Sequence, residues 1–277
     1  MGIAEFLYTT ILRPDPLRKT ANAIIKRILP KQVRSGSAVT VLNPKDPVIS
    51  GALAFRVYEK SETAFLKRTF FPGMVFLDIG ANVGYYTALA GHAAGATGRV
   101  LALEPDPESY HYLTQTIQVN RFTNATPFQM AASDQVGSAQ LHISDRNRGD
   151  NRLYANELAS DVVTVDTTTV DLLLLQNGIT SVDVVKMDVQ GAEGRVLQGM
   201  KDTLAQSGPV TLLTEFWPDG LRRAGTEPRE FLYMLENLGL RTHELHPDGS
   251  LLPIADRDAF IARYSGRKYA NIVAHRS

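Results

Sequence analysis

The stretch Val75-Phe76-Leu77-Asp78-Ile79-Gly80-Ala81-Asn82-Val83-Gly84-Tyr85-Tyr86-Thr87 constrains this chain more than any other. Its apolar, β-branched and aromatic start reads as a strand buried on both faces. The run breaks at Gly80, and from Gly84 a helical pattern carrying Tyr86, Leu89 and Ala90 takes over. A strand, a glycine-bearing turn and a helix N-terminus, in that order, form the ligand-cradling unit of a doubly wound α/β fold. Gly80 lets backbone come close to a ligand, and Gly84 lets helix pack tightly on strand. Asn82, between them, tolerates the positive φ that a tight turn demands.

A dinucleotide fingerprint would read G-x-G-x-x-G. Here the loop is Gly80-Ala81-Asn82-Val83-Gly84, with Asp78 two residues before the first glycine. A carboxylate in that place repels a pyrophosphate and suits a ligand with positive charge or hydrogen-bond donors. S-adenosylmethionine has an amino group and a sulfonium and lacks phosphate. Asp78, Gly80, Ala81, Asn82, Gly84 and Tyr85 are therefore the expected cofactor residues at this turn. The plainer alternative has Asp78 capping the turn and Gly80 merely turning a corner.

Further carboxylates recur at predicted strand ends. Arg99 to Pro105 reads as the second strand, and Glu104, about twenty residues past the glycine turn, is placed to accept the hydroxyls of an adenosine ribose, with Pro105 beside it. Ala125 to Ala132 reads as a third strand leading into Ser133-Asp134, where Asp134 can accept from an adenine amine while Met130 and Ala131 flank the ring. In Val182-Asp183-Val184-Val185-Lys186-Met187-Asp188-Val189-Gln190-Gly191-Ala192-Glu193, a buried strand brings Lys186 and Asp188 to one side and Glu193 opens a helix running through Met200. A buried Lys–Asp pair holding the turn is the structural alternative. Val210 to Pro218 is another strand, with Glu215 at its end, and Leu240 to Leu245 and Asn271 to His275 are expected as a closing antiparallel hairpin. Tyr58, Glu59 and Glu62, just before the first strand, are expected on the substrate side. The polar segment Asp145 to Arg152 reads as an exposed loop of the kind that serves as a substrate lid.

At 277 residues, the chain suits one α/β domain, residues 51–277, preceded by an N-terminal helical and extended segment, residues 1–50. In that segment, helical patterns at Ile3 to Leu12 and Leu17 to Leu29 flank Pro14-Asp15-Pro16; the second is basic and amphipathic, suited to covering the core, a homodimer contact or a membrane surface. Lysine plus arginine equals aspartate plus glutamate at 29 each, so no general basic character advertises a nucleic-acid partner. No cysteine is present, which removes thiol nucleophiles and thiolate metal sites and fits a reducing cytoplasm. No apolar run approaches the length of a membrane span.

With these residues assembled, the chain resembles the FkbM family of class I S-adenosylmethionine-dependent methyltransferases. The resemblance rests on the Phe76–Thr87 stretch, Glu104-Pro105, Ala131-Ala132-Ser133-Asp134 and Lys186 to Glu193, and covers roughly Tyr58 to Phe216. The family more often has Glu where this chain has Gln190. It implies a Rossmann-like, mostly parallel seven-stranded sheet and methyl transfer to a hydroxyl of a sugar, polyketide or other small metabolite. Catalysis is expected without a metal, with Asp188 or Glu193 as general base and Lys186 beside them. A divalent ion bridging Asp188 and Glu215 is the alternative. An N-methyltransferase, a non-catalytic adenosylmethionine-binding scaffold and an NAD-binding Rossmann protein remain as other readings.

Overall fold

The structure is a computed structural model that describes residues 29–144, 147–155 and 159–276. The two N-terminal helical patterns expected before Leu29 lie outside the described residues.

The chain begins with a hairpin of β1 (Gln32–Ser35) and β2 (Ala38–Val41), then α1 (Pro47–Ala54) and α2 (Lys60–Thr69). The Asp46-Pro47 pair starts α1: Asp46 accepts from the amides of Val48 and Ile49 at 3.0 and 3.1 Å, and Pro47 occupies the first helical position. There follow β3 (Val75–Ile79), α3 (Tyr85–Ala94), β4 (Arg99–Leu103), α4 (Pro107–Val119), β5 (Ala125–Phe128), β6 (Ala131–Ala132), β7 (Gly137–Ile143) and β8 (Asp161–Thr168). The remainder is α5 (Val170–Gln176), β9 (Val184–Met187), α6 (Glu193–Gln198), α7 (Lys201–Gln206), β10 (Val210–Phe216), α8 (Pro218–Arg223), α9 (Pro228–Asn237), β11 (Arg241–Leu245), β12 (Leu251–Pro253), α10 (Arg257–Ala262) and β13 (Ala270–Arg276).

The main sheet runs β12-β11-β13-β10-β9-β3-β4-β5. From β5 to β10 its strands are parallel, and β13 is antiparallel to both β10 and β11. The doubly wound, mostly parallel fold is as expected; an eighth strand, β12, extends the expected seven at one edge. β11 and β13 pair antiparallel, but β12 and α10 intervene, so they are not a hairpin.

Two expected elements divide. The strand expected over Ala125 to Ala132 splits, because β5 ends at Phe128 and β6 joins a separate three-stranded sheet, β6-β8-β7. The helix expected from Glu193 through Met200 breaks at Gly199, where an added Cβ would lie 2.0 Å from the Ser133 carbonyl oxygen.

Burial explains the parallel strands. Phe76, Leu77, Ile79, Val185 and Met187 have no exposed surface, each contributing about 1.5–3 kcal/mol of apolar burial. One apolar layer packs α5, α6, α7 and α9 against the sheet through Leu173, Val196, Leu204 and Phe231; the other packs α2 and α3 through Phe65, Leu66 and Ala90. The chain leaves β3 first through β4 to β5 and then returns to β9 on the other side of β3. A reversal of that kind opens a crevice at the carboxyl ends of β3 and β9.

Candidate active site

The turn after β3 is held by backbone. Gly80 and Ala81 both donate to the Leu103 carbonyl at 3.0 Å. Gly80 has φ +80°, and a Cβ there would stand 2.0 Å from the Asp188 carbonyl oxygen, so no side chain fits between these strand ends. Asn82 adopts φ +49° with its Oδ1 accepting from the Val83 amide at 2.8 Å. Its own amide donates to Glu104 Oε2 at 2.8 Å, while Glu104 Oε1 accepts from the Asp106 amide at 2.9 Å. Burial, reinforced by the Asp106 charge, pushes the Glu104 carboxyl up to about 8.

A second group of charges surrounds Lys186. Its Nζ donates to Asp188 Oδ2 at 3.1 Å and stands 5.2 Å from the centre of the Tyr86 ring. Burial would lower its pKa, but Asp188, Glu59 and Asp78 outweigh burial and raise it. The other Asp188 oxygen accepts from Gln190 Nε2 at 2.8 Å, and Gln190 sits at φ +53°. Asp78 is buried, accepts from the Thr87 hydroxyl at 2.6 Å, and has no partner for its Oδ1 among the described residues; burial raises its pKa.

Glu59 precedes α2 in a left-handed conformation, φ +34°, and makes no capping bond to that helix. Its carboxylate instead accepts from the Tyr86 hydroxyl at 2.7 Å. Burial pushes Glu59 up to about 6. Glu193 Oε1 accepts from the Val189 amide at 3.1 Å, its Oε2 is buried with no partner among the described residues, and burial lifts the carboxyl to about 7. Burial, with Asp188, Glu193 and Glu59 nearby, holds Glu215 well above the usual carboxylate range.

A cavity of about 360 Å³ runs along the strand ends, within the range of small-molecule sites. Of the expected residues, Tyr58, Glu59, Gly80, Asn82, Glu104, Pro105, Asp188 and Glu215 line it, as do Met130 and Ala131. Asp78, Ala81, Gly84, Tyr85, Ser133, Asp134 and Glu193 do not. Lys186 and Glu62 instead border a cleft of about 30 Å³ that shares Glu59, Asp188 and Glu215 with the large one. Ser133 is buried and donates to Asp134 Oδ1 at 2.9 Å, and Asp134 faces solvent.

Sequence reasoning missed Ile49, Trp217, Arg267 and Tyr269, all on the cavity wall. It read the 145–152 loop as a lid but did not single out its residues; Arg148, Asn151 and Arg152 form wall here. Arg148 donates to Asp106 and Glu108, and its amide donates to Asp46 Oδ2 at 3.2 Å. It thereby joins the N-caps of α1 and α4 across the Glu104 end of the cavity. The chain's single tryptophan, directly after a strand ending in a carboxylate, was the available signal for Trp217.

The residues present suit S-adenosylmethionine. Glu104, buried with two acceptor oxygens and no cationic partner among the described residues, suits a ribose diol; Ile49, Pro105 and Met130 offer apolar faces nearby. Asp188 and Glu59, further along, suit the cationic end. Among the described residues, no group of three or more carboxylate or imidazole side chains is arranged to hold a metal ion, and no helix is long and apolar enough to cross a membrane.

Comparison with known proteins identifies methyltransferases similar to this chain. Hexuronic acid methyltransferase AglP of Haloferax volcanii is 25% identical over 168 residues, 61% of this chain and 64% of that protein. The 2-O-methyltransferase NoeI of Sinorhizobium fredii is 28% identical over 151 residues, 49% of this chain and 61% of its own length. The matches thus span less than two thirds of either relative. Among solved structures, methyltransferase FkbM from Methylobacillus flagellatus superposes with a TM-score of 0.46 at 14% identity, covering 94% of this chain and 60% of the other. A SAM-dependent O-methyltransferase from Thermotoga maritima gives 0.46 at 13% identity, covering 90% and 86%. The family profile described as "Methyltransferase FkbM domain" matches residues 78–242, from β3 into β11 and more than half of the sequence, and the chain belongs to this FkbM methyltransferase family.

Proposed function

We propose that this chain transfers the methyl group of S-adenosylmethionine to a hydroxyl oxygen of a small acceptor, a sugar above all. The observation that carries the reading is one continuous cavity lined by Glu104, after β4, and by Asp188, Glu59 and Glu215. The names of the two relatives, one acting on a hexuronic acid and one a 2-O-methyltransferase, support the same acceptor class.

When bound, the cofactor supplies an activated methyl group on a sulfonium. The protein's part is to align the acceptor, exclude water and receive a proton. Glu104, positioned by the Asn82 and Asp106 amides, holds the ribose end. Asp188 is engaged on both oxygens by Lys186 and Gln190, so it orients this region and is a poorer base than its position suggested. Glu193 is shut off from the cavity. Glu59 lines the cavity, keeps a strained backbone that no helix cap explains, and with a pKa near 6 is ionised at neutral pH. Glu59 would receive the proton that the acceptor hydroxyl gives up on methylation. Glu215, with its carboxyl pushed up by burial and the nearby Asp188 and Glu193 charges, lines the acceptor side of the cavity.

The test is a labelled-methyl assay over a panel of sugars, polyols and amines, with S-adenosylhomocysteine binding measured alongside. Methylation of a hydroxyl compound supports the reading. Methylation confined to amines, or homocysteine-product binding without transfer to any panel member, counts against it.

A further inference from the structure

Glu59 reaches the cavity from the turn before α2, with a left-handed backbone and a side chain that does not cap that helix. What holds its carboxylate comes from another element. Tyr86, in the first turn of α3, donates its hydroxyl to Glu59 Oε2 at 2.7 Å. The tyrosine has one proton to give, so the Thr63 hydroxyl, 3.4 Å from the same oxygen, is the donor to it. Thr63 lies on α2, and its amide donates to the Glu59 carbonyl at 2.8 Å. The bonds run from Glu59 through Tyr86 and back to the helix that follows Glu59.

Tyr86 is itself held in place. It is 3% exposed, its ring lies against Tyr58 and Tyr85 with centres 6.3 and 5.2 Å away, and it faces Lys186 Nζ at 5.2 Å. It stands two residues after Gly84, the N-cap of α3 that ends the glycine turn.

The other charges around Glu59 are mostly acidic. Glu62 of α2, Asp188 after β9 and Glu215 of β10 disfavour its ionised form, and Lys186 opposes them. The Lys186 hydrogen bond goes to Asp188. Tyr58 and Tyr269 face the same carboxylate as neutral phenols, their pKa values raised by burial and by the carboxylates near them. A hydrogen bond donated to an ionised carboxylate favours that form. The Tyr86 hydroxyl therefore works against burial at Glu59.

Resting on the reading of Glu59 as the proton acceptor, we infer that Tyr86 is its positioning residue, the hydroxyl fixing the Glu59 carboxylate at the cavity wall from the helix that follows the glycine turn. Phenylalanine fits the same space and keeps a ring over Lys186. Tyr86→Phe thus withdraws the hydroxyl and its two bonds and little else.

The experiment follows the Glu59 carboxyl by carbon NMR in protein labelled at the glutamate side-chain carboxyls, the resonance being identified by its loss in Glu59→Gln. Wild-type Glu59 is expected to titrate at about 6. In Tyr86→Phe its proton affinity rises roughly tenfold, the effect of losing one hydrogen bond to a charged group. Thr63→Val leaves Tyr86 in place and moves the titration the same way by less, which keeps the test available should Tyr86→Phe not fold. In the methyl-transfer assay, Tyr86→Phe lowers kcat several-fold near pH 6 and regains the wild-type rate by about pH 9, with acceptor KM and S-adenosylhomocysteine affinity unchanged. A Glu59 titration that does not move, or a loss of kcat that is the same at every pH, overturns the inference. Glu59→Gln tests the underlying reading separately: a variant that keeps the wild-type rate removes Glu59 as proton acceptor, whatever Tyr86→Phe does to the titration.

Discussion

The two ends of the cavity are built on different principles. The Glu104 end is made from short consecutive segments, Gly80 to Gly84 and Glu104 to Asp106, tied by backbone amides to one carboxylate. The Trp217 end gathers Tyr58-Glu59, Asn151-Arg152, Trp217 and Arg267 to Tyr269 from four distant parts of the chain. A ligand shared across a family can be met by a local motif, because backbone geometry does most of the recognition. An acceptor is met by side chains on loops, which change without disturbing the sheet.

The largest expected effect lies at the first end. Gly80→Ala forces a Cβ to 2.0 Å from the Asp188 carbonyl oxygen at a positive φ, so strand ends must part. We expect a loss of about 3 kcal/mol or more in stability and no measurable S-adenosylhomocysteine binding, read by thermal melting and calorimetry. A variant that binds normally would show the turn to be looser than its geometry.

Glu59→Gln comes next, lowering kcat roughly 100-fold while product-cofactor binding changes little, which steady-state kinetics and calorimetry separate. A fall in cofactor affinity with kcat retained would move Glu59 to the binding end. Trp217→Phe keeps an aromatic ring but loses the bond to Gly266 and should raise acceptor KM several-fold, on the order of 1 kcal/mol, leaving the Glu104 end untouched. Equal losses for cofactor and acceptor would erase the distinction between the two ends.

The smallest effect is a pH trend. Glu59, Glu193 and Glu104, raised to about 6, 7 and 8, hold protons in the folded state that the unfolded chain has already released. Unliganded stability therefore falls as pH rises from the ordinary carboxylate range through about 8, and Glu104→Gln removes the upper part of that fall. Melting temperature against pH measures it; a rising curve would contradict the burial argument.

How much could be read in advance follows the same division. Phe76 to Thr87 and Val182 to Glu193 announced strand, turn and helix because each is local, with apolar burial and turn chemistry in one window. The start of α1 is equally local, an N-cap carboxylate at Asp46 followed by Pro47 in the first turn. The split at Phe128 was not legible, since Ala131-Ala132 changes sheets to pair with β8, some thirty-six residues on in register. Ser133 and Asp134 sounded like a ligand site, yet their strand end packs against Gly199 and leaves Asp134 in solvent. Arg267 and Tyr269 carry no motif; only the antiparallel return of β13 beside β10 brings them to Glu215.

The most direct test of the account is calorimetric titration of S-adenosylhomocysteine into wild type and Glu104→Gln between pH 6 and 9. Holding the ribose needs the ionised carboxylate, so the account predicts wild-type binding on the order of micromolar that tightens as pH rises through about 8, with Glu104→Gln about tenfold weaker and flat over that interval. Equal affinity in the two proteins, or no binding by the wild type, would contradict it.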